Sequence, residues 1–222
     1  SKGVISGNFG LSLLKNPKVM KNCIDAIKNE INEVISVKTR IGINNEYNEA
    51  ILDDFVSEIS LSGVNKFIIH ARNGILGNIS TKKNLSIPPL KYQRVYDLKK
   101  KFQEKEIIIN GGFLNTSDIG KLKNKIDGIM IGREAYNNPW IFCDKKLGIS
   151  EKKLIIFKYI SCLKKYFKLA DFNKKSLYHI QNIFTGHEGA KSWRNKVAYA
   201  LNNNDLQHLL NYIRYGYIGN YI

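Results

Sequence analysis

The stretch Ile107 to Arg133 constrains the fold more than any other part of this 222-residue chain. It reads I-I-I-N-G-G, then a short polar segment with helical spacing, then D-G-I-M-I-G-R. The run Ile107-Ile108-Ile109 has no polar alternation, so it suits a strand buried on both faces, as in a parallel sheet covered by helices. Asn110-Gly111-Gly112 follows at once. Glycines there let the backbone approach a ligand closely and aim its N–H groups at an anion. The second run, Gly128 to Ile131, ends in Gly132-Arg133, and a guanidinium can hold a phosphate through two hydrogen bonds. A barrel grips a phosphorylated ligand with such features after its last two strands.

The rest of the chain repeats this pattern. Pro17 opens a helix whose apolar residues (Val19, Met20, Cys23, Ile24, Ile27, Ile31) fall three or four apart, which places Cys23 in a core. A strand over 34–37 ends in Lys38-Thr39-Arg40. The stretch 46–62 reads as a helix stopped by Gly63. A strand over 66–69 ends in His70-Ala71-Arg72, and a long polar loop spans 73–89. A helix over 92–102 precedes the Ile107 strand, and Thr116-Ser117-Asp118 opens the next helix. Four strand–loop–helix units result. Ligand-fit residues at the C-terminal ends of successive parallel strands mark either a (β/α) barrel or an open doubly wound sheet. Four units are half of an eight-fold barrel, so the choice lies between an open sheet and a barrel whose other half precedes Ser1. The absence of an initiator Met suggests a fragment or a processed chain.

After Gly148 the pattern turns helical, with a start at Ser150-Glu151 and further helices near 174–185, 188–202 and 204–216. The expected division is a partial barrel over 1–149 and a small all-helical bundle over 150–222. Charge separates the two parts as well. The chain carries 35 Lys+Arg against 19 Asp+Glu, a net of +16. Residues 151–222 hold a net +8 and the 150 residues before them also +8, so the C-terminal third is about twice as basic per residue. A polyanion such as nucleic acid would explain this; so would a general bias towards Lys, Asn and Ile.

The candidate site residues each have two readings. Lys38 is a solvated strand end or a cation that stabilises an anionic ring. His70 gains weight from a register shared with Lys38 and Asn110. Arg72 is an anion contact or a salt-bridge partner. Lys191-Ser192-Trp193-Arg194 offers cations and an aromatic for phosphate contact and base stacking, or an amphipathic helix with Trp193 in a core. Lys82 and Lys83 share this ambiguity. His179 and His187 have no metal-ligand company, and no Ser-His-Asp arrangement stands out. No apolar stretch approaches a membrane span. Three scattered cysteines (Cys23, Cys143, Cys162) point to a reducing cytoplasm.

Together these motifs resemble a family. The stretches N-F-G-L-S-L-L (8–14), S-V-K-T-R-I-G-I (36–43), F-I-I-H-A-R (67–72), N-x-x-I-P-P-L (84–90), I-N-G-G (109–112), D-G-I-M-I-G-R-E-A-Y-x-N-P (127–139) and G-A-K-S-W-R (189–194) resemble the bacterial tRNA-dihydrouridine synthases, most of all the DusA subfamily. The resemblance implies an FMN-binding TIM barrel with a C-terminal helical domain. The implied reaction is reduction of uridine C5–C6 in the tRNA D-loop, expected at positions 20/20a, with NADPH as reductant. It implies flavin contacts at Lys38 and His70 and an FMN phosphate region at Asn110, Gly111, Gly112, Gly132 and Arg133. It implies tRNA contacts at Lys82, Leu85, Lys191 and Arg194, of which Leu85 and Lys191 stand where arginine is usual. The family's general-acid cysteine, in an N-x-G-C-P-S motif, would fall two positions before Ser1, so these 222 residues alone are expected to be inactive. The remaining expectations are a cytoplasmic monomer that binds tRNA, no membrane and no metal. Two alternatives stay open: another FMN barrel oxidoreductase acting on a small molecule, and a non-catalytic RNA-binding remnant.

Overall fold

The computed structural model describes residues 7, 9–44, 48–77, 80–84, 88–143, 145–166 and 174–219. It divides into two compact units, Ser1–Gly132 and Arg133–Ile222.

The first unit is built on four parallel strands: β1 (Ser36–Arg40), β2 (Lys66–His70), β3 (Glu106–Asn110) and β4 (Gly128–Met130). Their order in space is their order in sequence. A doubly wound sheet reverses direction partway, so that its helices cover both faces. Here the strands advance one way, and the buried strand residues Val37, Phe67, Ile69, Ile107 and Ile109 join helix residues in a single core. This is the arrangement of a barrel wall, and the sheet is that of a partial TIM barrel.

The helices of this unit are α1 (Pro17–Glu30), α2 (Ala50–Ser60), the short α3 (Thr81–Asn84), α4 (Tyr92–Lys101) and the short α5 (Asp118–Lys121). Leu52, Phe55, Val56 and Ile59 form the buried stripe of α2 at helical spacing. Gly63 ends it with φ +75° and an N–H donated to the Ser60 carbonyl at 2.9 Å. Arg94 ties α4 to α2: its guanidinium donates to Asp53 at 2.5 Å and to the Glu49 carbonyl at 2.7 Å.

Three local expectations change. β1 begins and ends later than the apolar spacing suggests, so Lys38 lies inside the strand. Cys23 is exposed, because α1 buries only Ile24; the apolar stripe of Val19, Cys23 and Ile27 lies on its outer side. Ile108, in the middle of the triple-isoleucine run, is only half-buried, whereas Ile107 and Ile109 are fully buried. β3 is therefore closely covered on one face alone.

The second unit holds α6 (Arg133–Asn137), a 3-10 turn (Pro139–Phe142), α7 (Ile149–Tyr166), a 3-10 helix (Lys174–Ile180), α8 (Ala190–Asn203) and α9 (Leu206–Tyr215). Its core surrounds Trp193, which is fully buried. The Trp193 indole donates to the Ile180 carbonyl at 2.8 Å and meets Phe184 edge-on at 5.3 Å. Trp193 is thus a core residue, and base stacking is not its role. The unit begins well before the expected boundary at 149/150, because Trp140 packs on this core and its indole donates to the Ile183 carbonyl at 3.1 Å.

Candidate active site

Parallel pairing sets Arg40, His70, Asn110 and Met130 side by side in one row. Lys38 lies two residues earlier, in the row of Ile68, Ile108 and Gly128. The expected shared register of Lys38 with His70 and Asn110 is therefore corrected: Arg40 is their neighbour. Side chains alternate along a strand, so residues two apart share a face. Lys38, Arg40, His70 and Asn110 all project from one face of the sheet. The opposite face supplies Val37, Phe67, Ile69, Ile107 and Ile109 to the core. One side of the wall is apolar and packed; the other carries the chemistry.

That chemical face is cationic. Neither of its two rows contains a carboxylate. Lys38 is pushed below the usual lysine pKa, first by lost hydration and then by the Arg40 charge. Arg40 is lowered by burial and then by Arg72. Mutual repulsion among three cations is relieved by an anion, so the face is suited to bind one. Arg40 is held in place by donating to the Asn73 carbonyl at 2.8 Å and the Asn84 carbonyl at 3.1 Å. Arg72 donates to the Pro88 carbonyl.

The turn after β3 is fixed by packing. Asn110 Nδ2 donates to the Met130 carbonyl at 2.8 Å, which locks the β3 end to β4. The Ala71 N–H donates to the Asn110 carbonyl at 2.9 Å. Gly111 has φ +117° and Gly112 φ +80°. A Cβ on Gly111 would stand 2.9 Å from Leu90 and 3.0 Å from the His70 ring; one on Gly112 would stand 2.7 Å from the Tyr92 hydroxyl. The glycines are therefore demanded by the close approach of His70, Leu90 and Tyr92 as well as by backbone conformation. Tyr92 donates to the Gly111 carbonyl at 2.7 Å, and its ring stacks on Phe113 at 5.5 Å. Burial pushes its phenol pKa up.

Leu90, the last residue of the N-x-x-I-P-P-L stretch, and Tyr92, the first of α4, shape this turn, a role the sequence alone does not assign to either. Pro88-Pro89 favours an extended approach to α4 and so delivers both side chains to the turn. A cavity of about 410 Å³ shares Leu90 and Tyr92 with this turn but includes none of Lys38, His70 and Asn110. The chemistry, not that hollow, marks the site.

Gly132 follows β4 and is exposed, and a Cβ there would meet nothing within 4 Å. Arg133 is exposed and opens the second unit. Lys82 lies on α3, and Leu85 falls outside the described residues. On α8, Lys191 is exposed and Arg194, three residues on, is half-buried. Cys143 and Cys162 are exposed like Cys23. Among the described residues no cluster of three or more His, Cys, Asp or Glu could hold a metal, and no helix is long and apolar enough to cross a membrane.

The family described as dihydrouridine synthase (Dus) matches residues 1–214. Among similar proteins, the tRNA-dihydrouridine(20/20a) synthase of Shewanella oneidensis is 32% identical over 205 residues, covering 89% of this chain and 61% of that protein. The protein of the same name from Vibrio vulnificus is 34% identical over 206 residues, covering 89% and 63%. That of Synechocystis sp. is 33% identical over 205 residues, covering 89% and 61%. The chain thus spans about three-fifths of the length of the curated relatives it matches.

Proposed function

We infer, from the premise that this chain belongs to the dihydrouridine synthase family, that its protein reduces uridine to dihydrouridine in the tRNA D-loop. The names of its relatives support positions 20 and 20a as the targets. The observation that carries the reading is the sheet face with Lys38, Arg40, His70 and Asn110 at its C-terminal end, opposite an apolar core.

FMN is the proposed cofactor and NADPH the proposed reductant. The donor set fits an anionic flavin: two cations, a buried histidine and an asparagine, with no carboxylate in their rows. FMN bound there would supply the hydride for the uracil ring and be reduced again by NADPH. Lys38 would offset negative charge on the ring; burial and then the Arg40 charge lower its pKa, and an anion beside it would favour its charged form. His70, packed against Gly111, would orient the ring by hydrogen bonding. Asn110, Gly111, Gly112 and Gly132 would border the phosphate at the two strand ends, with Arg133 as its counter-charge. Lys82, Leu85, Lys191 and Arg194 are the proposed tRNA-facing positions, and the cytoplasm, where tRNA is found, the proposed compartment. None of Cys23, Cys143 and Cys162 is assigned the proton donor, since all three lie exposed on helices or turns away from the strand-end rows in sequence.

Deleting the gene in its host and mapping dihydrouridine in tRNA tests the reading. The expected result is loss of the modified base at positions 20 and 20a, restored by the wild-type gene and not by K38A/H70A. Unchanged dihydrouridine at both positions would overturn it.

A further inference from the structure

α7 carries two stripes. Ile156, Ile160 and Leu163 face the core of the second unit. Ser150, Lys153, Leu154 and Phe157 recur at the spacing of a second face. Together with Ile213 and Arg214 of α9 they line a cleft of about 370 Å³. This is within the range of small-ligand sites, roughly 300–1,000 Å³. The lining contains two cations and no carboxylate.

Its centre is a stack. The Arg214 guanidinium lies 4.8 Å from the centroid of the Phe157 ring and 5.9 Å from that of Tyr215. Lys153 donates to the Gly216 carbonyl at 3.0 Å, which anchors its ammonium beside the α9 end. Tyr215 is 77% exposed and Tyr217 65%. Large aromatic surface is thus left in water on the most basic part of the chain. Lysine-rich solubility does not require it, and the Trp193 core does not use it.

We propose that the α7–α9 cleft is an RNA subsite that takes one unstacked nucleotide: its base lies on the Arg214 guanidinium, backed by Phe157, and its phosphate pairs with Lys153. The inference rests on the tRNA reading above, but uses residues separate from Lys191 and Arg194 of α8. The chemistry selects RNA over other polyanions. A planar cation supported by an aromatic ring offers a stacking platform for any base, and a flanking lysine supplies the point charge that a phosphate wants. An acidic peptide would use the charges and leave the platform idle.

The test is binding of an unmodified tRNA transcript to the full-length protein, by fluorescence anisotropy over a salt series. R214A and F157L are expected to weaken binding about tenfold or more, the scale on which losing one stacked base weakens single-strand binding. R214K is expected to keep the salt slope of the wild type and still bind about as weakly as R214A, because it preserves charge and loses the plane. A short single-stranded oligouridine should compete with tRNA for the wild type and fail to compete for R214A. Melting curves confirm that each variant is folded. If the wild type binds tRNA, a K191A/R194A variant loses it and R214A does not, the cleft is wrong and the tRNA reading stands. If polyglutamate competes as well as oligouridine, or R214K binds like wild type, the cleft is a plain charge patch and the proposal falls. If the wild type binds no tRNA, both fall.

Discussion

The two units solve the same problem, one buried apolar face, with opposite consequences for function. In the first, strand alternation divides residues between two sides of a wall: Phe67, Ile69, Ile107 and Ile109 go to the core, and His70 and Asn110 to the other face. In the second, helices wrap a centre at Trp193, and functional side chains occupy whatever helix face remains outside. A wall must keep its chemistry within a single parity of each strand, so a one-residue slip would exchange core for site. A bundle has no such rule. Its outer faces are not held to one parity, and Lys153 and Leu154 of α7 are an instance.

The largest expected effect breaks the second unit and leaves the first. W193A removes the central side chain and its hydrogen bond to the Ile180 carbonyl, at a cost of about 3–5 kcal/mol. Hydrogen exchange followed by mass spectrometry should show protection lost across α8 and α9 and retained in β2 and β3. Loss in both places would mean that the two units unfold as one, and the contrast drawn above would fail.

A glycine pair sharpens the contrast within the wall. G111A is expected to cost about 1–3 kcal/mol, because it combines a positive φ with contacts of 2.9–3.1 Å to Leu90 and His70. G132A should leave the melting temperature unchanged, since a Cβ there meets nothing within 4 Å. FMN titration then separates structure from binding. Weaker FMN binding by a fully stable G132A would indicate a ligand that approaches that backbone closely; unaltered binding would remove Gly132 from the proposed site.

Lys38 and Arg40 make a smaller and more specific test. They share a face of β1, but Arg40 holds the Asn73 and Asn84 carbonyls. R40Q should lower the melting temperature of the first unit by a few degrees, and K38Q should not. K38Q should instead weaken FMN binding about tenfold, if its ammonium offsets ring charge. The reverse pattern in the two variants would show that Arg40 faces the cofactor.

These cases indicate what the residue order could reveal. The strand ends at His70, Asn110 and Gly132 were legible because each closes an apolar run that a parallel sheet needs. The row linking them was not, since apolar spacing begins β1 at Val34 and pairing begins it at Ser36. Register depends on partners far away in the chain, and that displacement moved Lys38 out of the row and Arg40 into it. Trp193 illustrates a second limit. An aromatic between Lys191 and Arg194 suits both a bundle core and a base-stacking surface, and only the packing of Phe184 and Ile180 decides. Cys23 illustrates a third: helical spacing identifies an apolar stripe without stating whether anything covers it.

The smallest expected effect is on pH dependence, and it too divides the units. Lys152 and His187 are buried in the second unit with Lys152 Nζ 3.3 Å from His187 Nε2. His187 Nδ1 lies 3.0 Å from the Gly219 carbonyl. Neutral His187 can therefore accept from Lys152 and donate to Gly219. Burial pushes the His187 pKa down, the Gly219 carbonyl opposes this in part, and the Lys152 charge pushes it down further. Lys152 is also lowered, chiefly by burial. In both cases the unfolded chain binds protons more readily than the folded one, so stability rises with pH wherever either titrates. For His187 the contribution is complete above the ordinary histidine range near 6.5 and is lost as pH falls through it towards the lower folded value. Between pH 7.5 and 5, exchange protection corrected for the intrinsic slowing of amide exchange at lower pH should therefore fall in α8, α9 and the segment to Gly219 more than in β2 and β3. H187Q should flatten that difference. An equal response in both units, or an unchanged slope in H187Q, would remove this pair as the source.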